Sequence, residues 1–335
     1  MIKKIYNYFV IVILFPFFIF EVLKYKFFKV KNSELSYQYM IKLFTIFDGH
    51  MINIISKFLS QKKVTFTNNY HNTSLFIDCD YNKINDDLLN RGYYIHKNKI
   101  DKKLIDEINS NLVTINGKYC SDSYSSNNYE EFDPDNPKGA KFIYETNALI
   151  KIAGIQNLLL DKQILTIAQN YLDALPIIDI VTAWWSSPSK FADKNAAQFW
   201  HFDMDRPRWL KVFIFLTDCN ISNGPHSFIE GSHKNNGIPN ILRSKGYQRL
   251  SDEEISSFYS QKKIKTFVAT KGSILFEDTR GLHKGIKLES GNRLILQFQY
   301  STALFGSTIE KIKLPRSNIL LDDFNKNKEI FQNFY

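Results

Sequence analysis

Apolar positions follow different rules in successive parts of this chain. From Ile5 to Leu23 the run IYNYFVIVILFPFFIFEVL is almost wholly apolar, interrupted only near or at Asn7, Pro16 and Glu21. Its 19 residues, at about 1.5 Å each, nearly match a hydrocarbon core of about 30 Å, so a membrane-anchoring helix is expected over residues 5–23. A greasy helix docked on the rest of the chain is the competing reading. A cleaved signal is less favoured, because no small-residue cleavage site follows the run. Lys24, Lys26, Lys29 and Lys31 follow the run while only Lys3 and Lys4 precede it, a bias that would place the chain beyond it in the cytoplasm. From Ser33 to Gln61 apolar residues recur at Met40, Phe44, Phe47, Met51, Ile54 and Phe58, a helical spacing that predicts an amphipathic linker. Three parts are therefore expected: a hydrophobic helix over 1–31, a helical linker over 32–63, and one globular domain over 64–335.

Inside that domain the period changes midway. Asp101 to Leu112 reads as a helix with Leu104, Ile105, Ile108 and Leu112 on one face. A second helix follows Asp161, an N-cap candidate, and carries Ile164, Leu165, Ala168, Tyr171 and Leu172 before Pro176. Between them, residues 121–139 are polar and turn-rich, the composition of a loop. After Pro176 short strands are predicted at Ile177–Trp185, Leu210–Thr217, Ser227–Glu230, Lys265–Val268, Ser273–Phe276 and Arg293–Ser301. A polar excursion over 234–263 interrupts them, with Ser251 and Glu254 spaced as a capping box. Helices first and many strands afterwards predict an α+β domain built around a β-barrel or jelly roll.

Composition adds exclusions. With 44% apolar residues among 335 the chain has the material for a large core, which excludes global disorder. Cys79, Cys120 and Cys219 are odd in number and widely spaced, so neither a disulfide framework nor a zinc knuckle is indicated, and a reducing, cytoplasmic setting fits the folded part. The net charge of +9 suggests nucleic acid only until it is located. Residues 1–64 hold ten lysines against Glu21, Glu34 and Asp48, leaving a balance of +2 for all the rest. No nucleic-acid partner is expected, and no protein partner is inferred.

The chemistry sits among the strands. His201 and Asp203 are two apart, so on extended backbone an imidazole and a carboxylate face the same way. Such a triplet is common by chance; His283, eighty residues after Asp203, gives it weight. Two histidines and one carboxylate form a facial triad that leaves coordination positions of a non-haem iron open for a bidentate oxo-acid and dioxygen. Arg293 lies ten residues beyond His283, on a strand where Arg293, Ile295, Gln297 and Gln299 share one face. A guanidinium aimed into a barrel requires an anion, and the distal carboxylate of 2-oxoglutarate is a bidentate partner. On the strand from Trp209 to Thr217, Leu210, Val212, Ile214 and Leu216 form an aliphatic face, and Trp209, Lys211, Phe213, Phe215 and Thr217 the pocket lining. Lys211 is a candidate anion holder, with a solvated edge lysine as the alternative. Phe213 is a candidate to flank the oxo-acid or a plain core residue. Gln198 and Trp200 either orient the ligands or simply pack. His50, His71, His96, His226 and His233 have no partner at ligand spacing, and none is assigned to the metal; His233 is expected to fix a turn.

With these residues in place, the segment from about Leu88 to Ser301 resembles the phytanoyl-CoA dioxygenase family. The matching pieces are Gly92-Tyr93-Tyr94-Ile95, WHFD at 200–203, LKVFIFLTD at 210–218, NGPHSFIEGSHK at 223–234, and GSILFEDTRGLHKG with its trailing Arg293. The resemblance implies a double-stranded β-helix flanked by helices, and an Fe(II)- and 2-oxoglutarate-dependent dioxygenase. Its metal would be held by His201, Asp203 and His283, and its oxo-acid by Arg293. Two positions depart from the pattern. His226 stands where many members have an apolar residue, and Gly285 where some have a hydroxyl. Related halogenases lack the carboxylate that Asp203 supplies, so hydroxylation of a small-molecule or lipid-like substrate is expected rather than halogenation. A non-catalytic, membrane-associated β-barrel protein that retains the metal site is the alternative from another class. A cupin-like isomerase or decarboxylase is a third, against which Arg293 speaks.

Overall fold

The computed structural model describes the backbone of residues 2–66, 79–246, 248–315 and 324–335, and side chains from residue 12 onward within them. His71 lies outside the described residues. Three helices lead the chain: α1 (Ile2–Phe28), α2 (Glu34–Phe47) and α3 (His50–Leu59). Next come α4 (Tyr81–Arg91), β1 (Tyr93–Ile95), α5 (Lys102–Leu112), β2 (Gly117–Tyr119) and β3 (Lys141–Tyr144). They are followed by α6 (Thr146–Leu149), α7 (Ala153–Leu159) and α8 (Lys162–Leu172). Helix starts form where carboxylates satisfy free N–H groups. Asp101 accepts from the Lys103 N–H at 2.8 Å, and Asp161 from the Gln163 and Ile164 N–H groups at 2.9 and 3.0 Å.

The strands that follow are β4 (Ile177–Ser186), β5 (Trp209–Phe215), β6 (His226–Ile229), β7 (Ile264–Phe267), β8 (Ile274–Glu277), β9 (His283–Gly285) and β10 (Arg293–Ser301). Within the 234–263 excursion lie α9 (Asn240–Arg243) and α10 (Asp252–Ser256), and the capping box of Ser251 and Glu254 is formed. Each predicted strand is present within one or two residues. Residues 121–139 contain neither a helix nor a named strand. The short strands β1, β2, β3 and β9 and the helix α4 carry too few residues, or too mixed a pattern, to stand out in the sequence.

Seven strands pair in the order β1-β8-β5-β10-β4-β3-β2, and three in the order β7-β6-β9, all antiparallel. Alternation along the strands divides the interior. The aliphatic side of β5 and β10 (Leu210, Val212, Ile214, Leu294, Leu296, Phe298) packs on α5, α7 and α8 in the largest core cluster. The opposite side faces the smaller sheet, where Phe213, Phe215, Leu275 and Ile295 meet Phe228 and Phe267. The α+β class holds, with two antiparallel sheets meeting across an interior that also receives the polar groups described below.

The expected anchor over 5–23 finds no support: among the described residues no helix is long and apolar enough to cross a membrane. From residue 12 onward, where its side chains are described, α1 is docked on the rest of the chain, the competing reading. Phe18, Val22 and Tyr25 are buried in one cluster with Tyr39, Met40 and Leu43 of α2, Ile52, Ile55 and Leu59 of α3, and Phe305. Glu21, also buried, accepts the Ser33 N–H at 2.6 Å and pairs with Lys24. The same cluster contains Trp200, Phe202, Met204 and Trp209. Residues 32–63 therefore form two helices sharing a core with the segment that carries His201 and Asp203.

Candidate metal and oxo-acid site

Backbone pairing brings together the three residues the sequence singled out. The His201 N–H donates to His283 O at 3.0 Å and the His283 N–H to His201 O at 2.8 Å, closing an isolated antiparallel bridge. Two residues on, the Asp203 N–H donates to Thr279 O at 2.8 Å, so the triplet runs beside the 279–283 segment. The ligand-capable atoms of His201, Asp203 and His283 all lie within 4.8 Å of one another, and all three residues are buried.

Each imidazole is fixed from behind. Nδ1 of His201 lies 2.8 Å from Phe199 O, and Nδ1 of His283 lies 2.9 Å from Gly281 O. With the proton on Nδ1, Nε2 keeps its lone pair for a metal. Nε2 of His201 is 3.9 Å from Asp203 Oδ1, and Nε2 of His283 is 3.6 Å from Oδ2. Burial first, and His283 second, hold His201 well below the usual histidine range, and burial also lowers His283. Both rings are thus neutral, the form that ligates. Burial alone would raise the Asp203 pKa, but the charge of Lys211 and the hydrogen bond it donates outweigh it, and the carboxyl sits well below the usual range. Three donors, two neutral and one anionic, suit a divalent cation.

Lys211 is not an edge lysine. Its ammonium donates to Asp203 Oδ2 at 2.6 Å and lies 3.7 Å from Asp205, so it braces the carboxylate of the three-donor cluster. Phe213 lies one step further along the same face, 5.4 Å from the His226 ring and 6.5 Å from Trp184, centroid to centroid. Gln198 is spent locally, its Oε1 accepting the Asp193 N–H at 2.9 Å. Trp200 donates from its indole to Asp252 at 2.7 Å. His233 approaches Leu89 O at 3.2 Å, linking its turn to the end of α4.

Arg293 points into the barrel without a carboxylate partner. Its Nη2 donates to Ser186 Oγ at 3.2 Å, while Nε and Nη1, both buried, have no hydrogen-bond partner among the described residues. Burial pulls its pKa down. Strand register explains what surrounds it. Ser186 of β4 is opposite Arg293 on one side and Lys141 of β3 on the other, so the three share a row and a face. The Lys141 ammonium lies 5.6 Å from the Trp184 ring and has no ion pair among the described residues. A Cβ at Gly285 would come within 3.8 Å of Arg293 Nη2, so glycine leaves that space open.

Three of these interior groups, Lys141, Ser186 and Glu277, escaped the sequence reading, and for the fourth, His226, the partner was missed. Lys141 and Ser186 sit on a strand too short to read and at the last residue of another. The other two form a buried pair, with Nε2 of His226 2.9 Å from Glu277 Oε1. Burial raises Glu277 to about 8 and lowers His226 to about 3, the latter helped by Arg293 and Lys211. Glu277 Oε2 is buried without a hydrogen-bond partner among the described residues. Alternation with Leu275 was the signal available for Glu277, since it places an acid on the inward face just past the predicted end of that strand.

Residues 189–292 match the family model described as phytanoyl-CoA dioxygenase. That span contains His201, Asp203 and His283 and ends one residue before Arg293, so the resemblance seen in the motifs holds. No curated protein matches the sequence. Among solved structures, AviO1 from Streptomyces viridochromogenes Tue57 is similar at 15% identity, over 68% of this chain and 96% of that one, with a TM-score of 0.45. HygX from Streptomyces hygroscopicus, solved with nickel and 2-oxoglutarate bound, is 15% identical over 73% of this chain and 94% of its own, with a TM-score of 0.46. EctD from S. alaskensis with bound Fe is 16% identical over 72% and 80%, also at 0.46.

Proposed function

We propose that this protein is an Fe(II)- and 2-oxoglutarate-dependent oxygenase that hydroxylates a small-molecule or lipid-like substrate. The observation that carries the reading is the pairing, in one barrel interior, of a three-donor metal cluster with a buried, anion-free guanidinium. His201, Asp203 and His283 would hold the iron. Buried Nε and Nη1 of Arg293 are unmatched among the described residues, which fits a carboxylate, because an unpaired buried charge is costly in the native state. When bound, iron and oxo-acid supply the oxidation of an unactivated C–H bond with dioxygen as the oxidant.

The chain's own residues prepare that chemistry. Phe199 O and Gly281 O set the histidine tautomers. Lys211 takes up one Asp203 oxygen and so fixes the orientation of the carboxylate. Arg293, Ser186 and Lys141 form a row of donors suited to the acid end of 2-oxoglutarate, with Trp184 and Phe213 as apolar walls. Asp203 also favours hydroxylation over halogenation, since it fills the position a halide would need.

The test is to supply the purified chain with Fe(II), dioxygen and labelled 2-oxoglutarate and to measure succinate and carbon dioxide. Stoichiometric release that disappears in His283→Ala, with the circular dichroism spectrum retained, is the expected result. No release above the His283→Ala background would reject the oxygenase reading in favour of a barrel that keeps the residues without turnover.

A further inference from the structure

A cavity of about 570 Å3 lies away from the metal cluster and shares no residue with it. Its wall joins the two ends of the chain. Tyr25, Lys29 and Lys31 come from the end of α1 and just beyond it, and Lys311 and Lys328 from the C-terminal stretch. That stretch is held in place where Ile312 bridges to Phe334. Arg206 also lines the cavity but is already committed, with its guanidinium on Asp179 and on the carbonyls of Asp205 and Ser307.

The four lysines differ from Arg206 in this respect. None has an ion pair or a side-chain hydrogen bond among the described residues, and Glu329 is the lone acid in the lining. The Lys29 ammonium rests 5.4 Å from the Tyr25 ring. Burial and the neighbouring Lys26 lower its pKa, as expected for a cation crowded by other cations. Four lysines on the wall of one concavity repel one another by themselves and are stabilised when an anion of multiple charge enters. Gln61 and Gln332 add amide groups, and Leu304, Ile309 and the Tyr25 ring supply an apolar wall.

We propose that this cavity binds a phosphate-bearing anion through Lys29, Lys31, Lys311 and Lys328, at a site separate from the oxygenase centre. A single carboxylate would leave most of the positive charge unmatched. A phosphate ester or diphosphate presents several acceptor oxygens to compact ammonium donors. Such a group could come from a soluble phosphate ester or from a lipid headgroup. The second source is relevant because Phe27, Phe28 and Val30, next to Lys29 and Lys31, are exposed.

Two probes separate the sources. The full-length protein is titrated calorimetrically with pyrophosphate, and sedimented with phosphatidylglycerol vesicles against phosphatidylcholine vesicles. The comparison is between the wild type, Lys311→Gln/Lys328→Gln, and a control with the same charge change elsewhere, Lys102→Gln/Lys103→Gln. Binding of either probe that weakens by roughly tenfold or more in the first variant and not in the control is the expected result. Saturation by pyrophosphate assigns a soluble ligand, and binding to phosphatidylglycerol vesicles alone assigns a headgroup. The proposal is overturned if neither probe binds, or if both double variants lose binding equally, which would mean a diffuse charge effect.

Discussion

At the scale of single residues, the site is defined by what its charges lack. Among the described residues Arg293 has one hydrogen bond, to a hydroxyl, and its buried Nε and Nη1 have no partner. Arg293→Met is therefore expected to raise the half-saturation concentration of 2-oxoglutarate about a hundredfold or more, the consequence of losing one partner of a desolvated ion pair worth about 3 to 5 kcal/mol. Iron affinity, measured by direct titration, should stay near normal, because the metal ligands are untouched. An unchanged half-saturation value would shift the clamp to Lys141. Glu277 gives a prediction in pH. Its pKa rises from an ordinary 4.5 to about 8 on burial, so the folded state holds an extra proton between those values. Its contribution is complete below pH 4.5 and is lost as the pH rises through 8. His226 acts in the opposite sense, its pKa falling from 6.5 to about 3, so stability declines as the pH drops across that window. In metal-free protein, Glu277→Gln should flatten the alkaline side of a plot of melting temperature against pH and leave the acid side in place. Parallel curves for wild type and variant would show that Glu277 is not the group responsible.

At the scale of elements, α1 illustrates how one sequence pattern can serve two environments. Its run is apolar all round, the pattern of a helix in lipid, yet the structure buries one stripe, Phe18, Val22 and Tyr25, and leaves Phe20, Leu23 and Phe27 exposed. Phe18 meets Tyr39 at 4.9 Å and Phe305 at 5.8 Å between ring centroids. Truncating it to alanine should cost about 3 to 5 kcal/mol, read as a fall in the denaturant midpoint. Phe20→Ala, at a position 61% exposed, should change stability by only about 0.5 kcal/mol. Equal effects of the two substitutions would mean that α1 is not docked as described. Removal of residues 1–31 is expected to destabilise the barrel, because Tyr39 and Phe305 would lose their cover.

At the scale of the whole molecule, Asp179 is the point where distant segments are joined. Its carboxylate accepts two hydrogen bonds from Arg206 at 2.8 Å each, one from Gln299 at 2.9 Å and one from Ser301 at 2.7 Å. Its backbone carbonyl accepts the Asn333 amide at 2.7 Å. Strand β4, strand β10, the 205–208 turn and the C-terminus are thereby tied at one buried anion. Arg206→Met should destabilise by about 3 to 5 kcal/mol, since it leaves that anion without its cation. Adding Asp179→Asn should recover part of the loss, because the uncompensated charge is removed along with its partner. A double variant as unstable as the sum of the two single variants would show that the residues act independently.

The sequence by itself determined what depends on local rules. Alternation fixed the faces of β5 and β10 and hence which side of each would be lined with Lys211, Phe213 and Arg293. Side-chain caps marked the starts of α8 and α10. The spacing of His201 and Asp203, with His283 and the motifs around them, singled out the three residues that the fold brings together as a candidate metal cluster. Tertiary structure decided what depends on registration between segments far apart. Lys141 joins Ser186 and Arg293 because β3 and β10 both pair with β4. His226 meets Glu277 because β6 of the small sheet faces β8 of the large one. Lys211 turns to Asp203 because the 201–203 segment is pinned by backbone hydrogen bonds to residues 279–283. The fate of α1 belongs to the same class: hydrophobicity states that its surface must leave water, and only the shape of the remaining chain, with Tyr39 and Phe305 open to receive Phe18, decides where that surface goes.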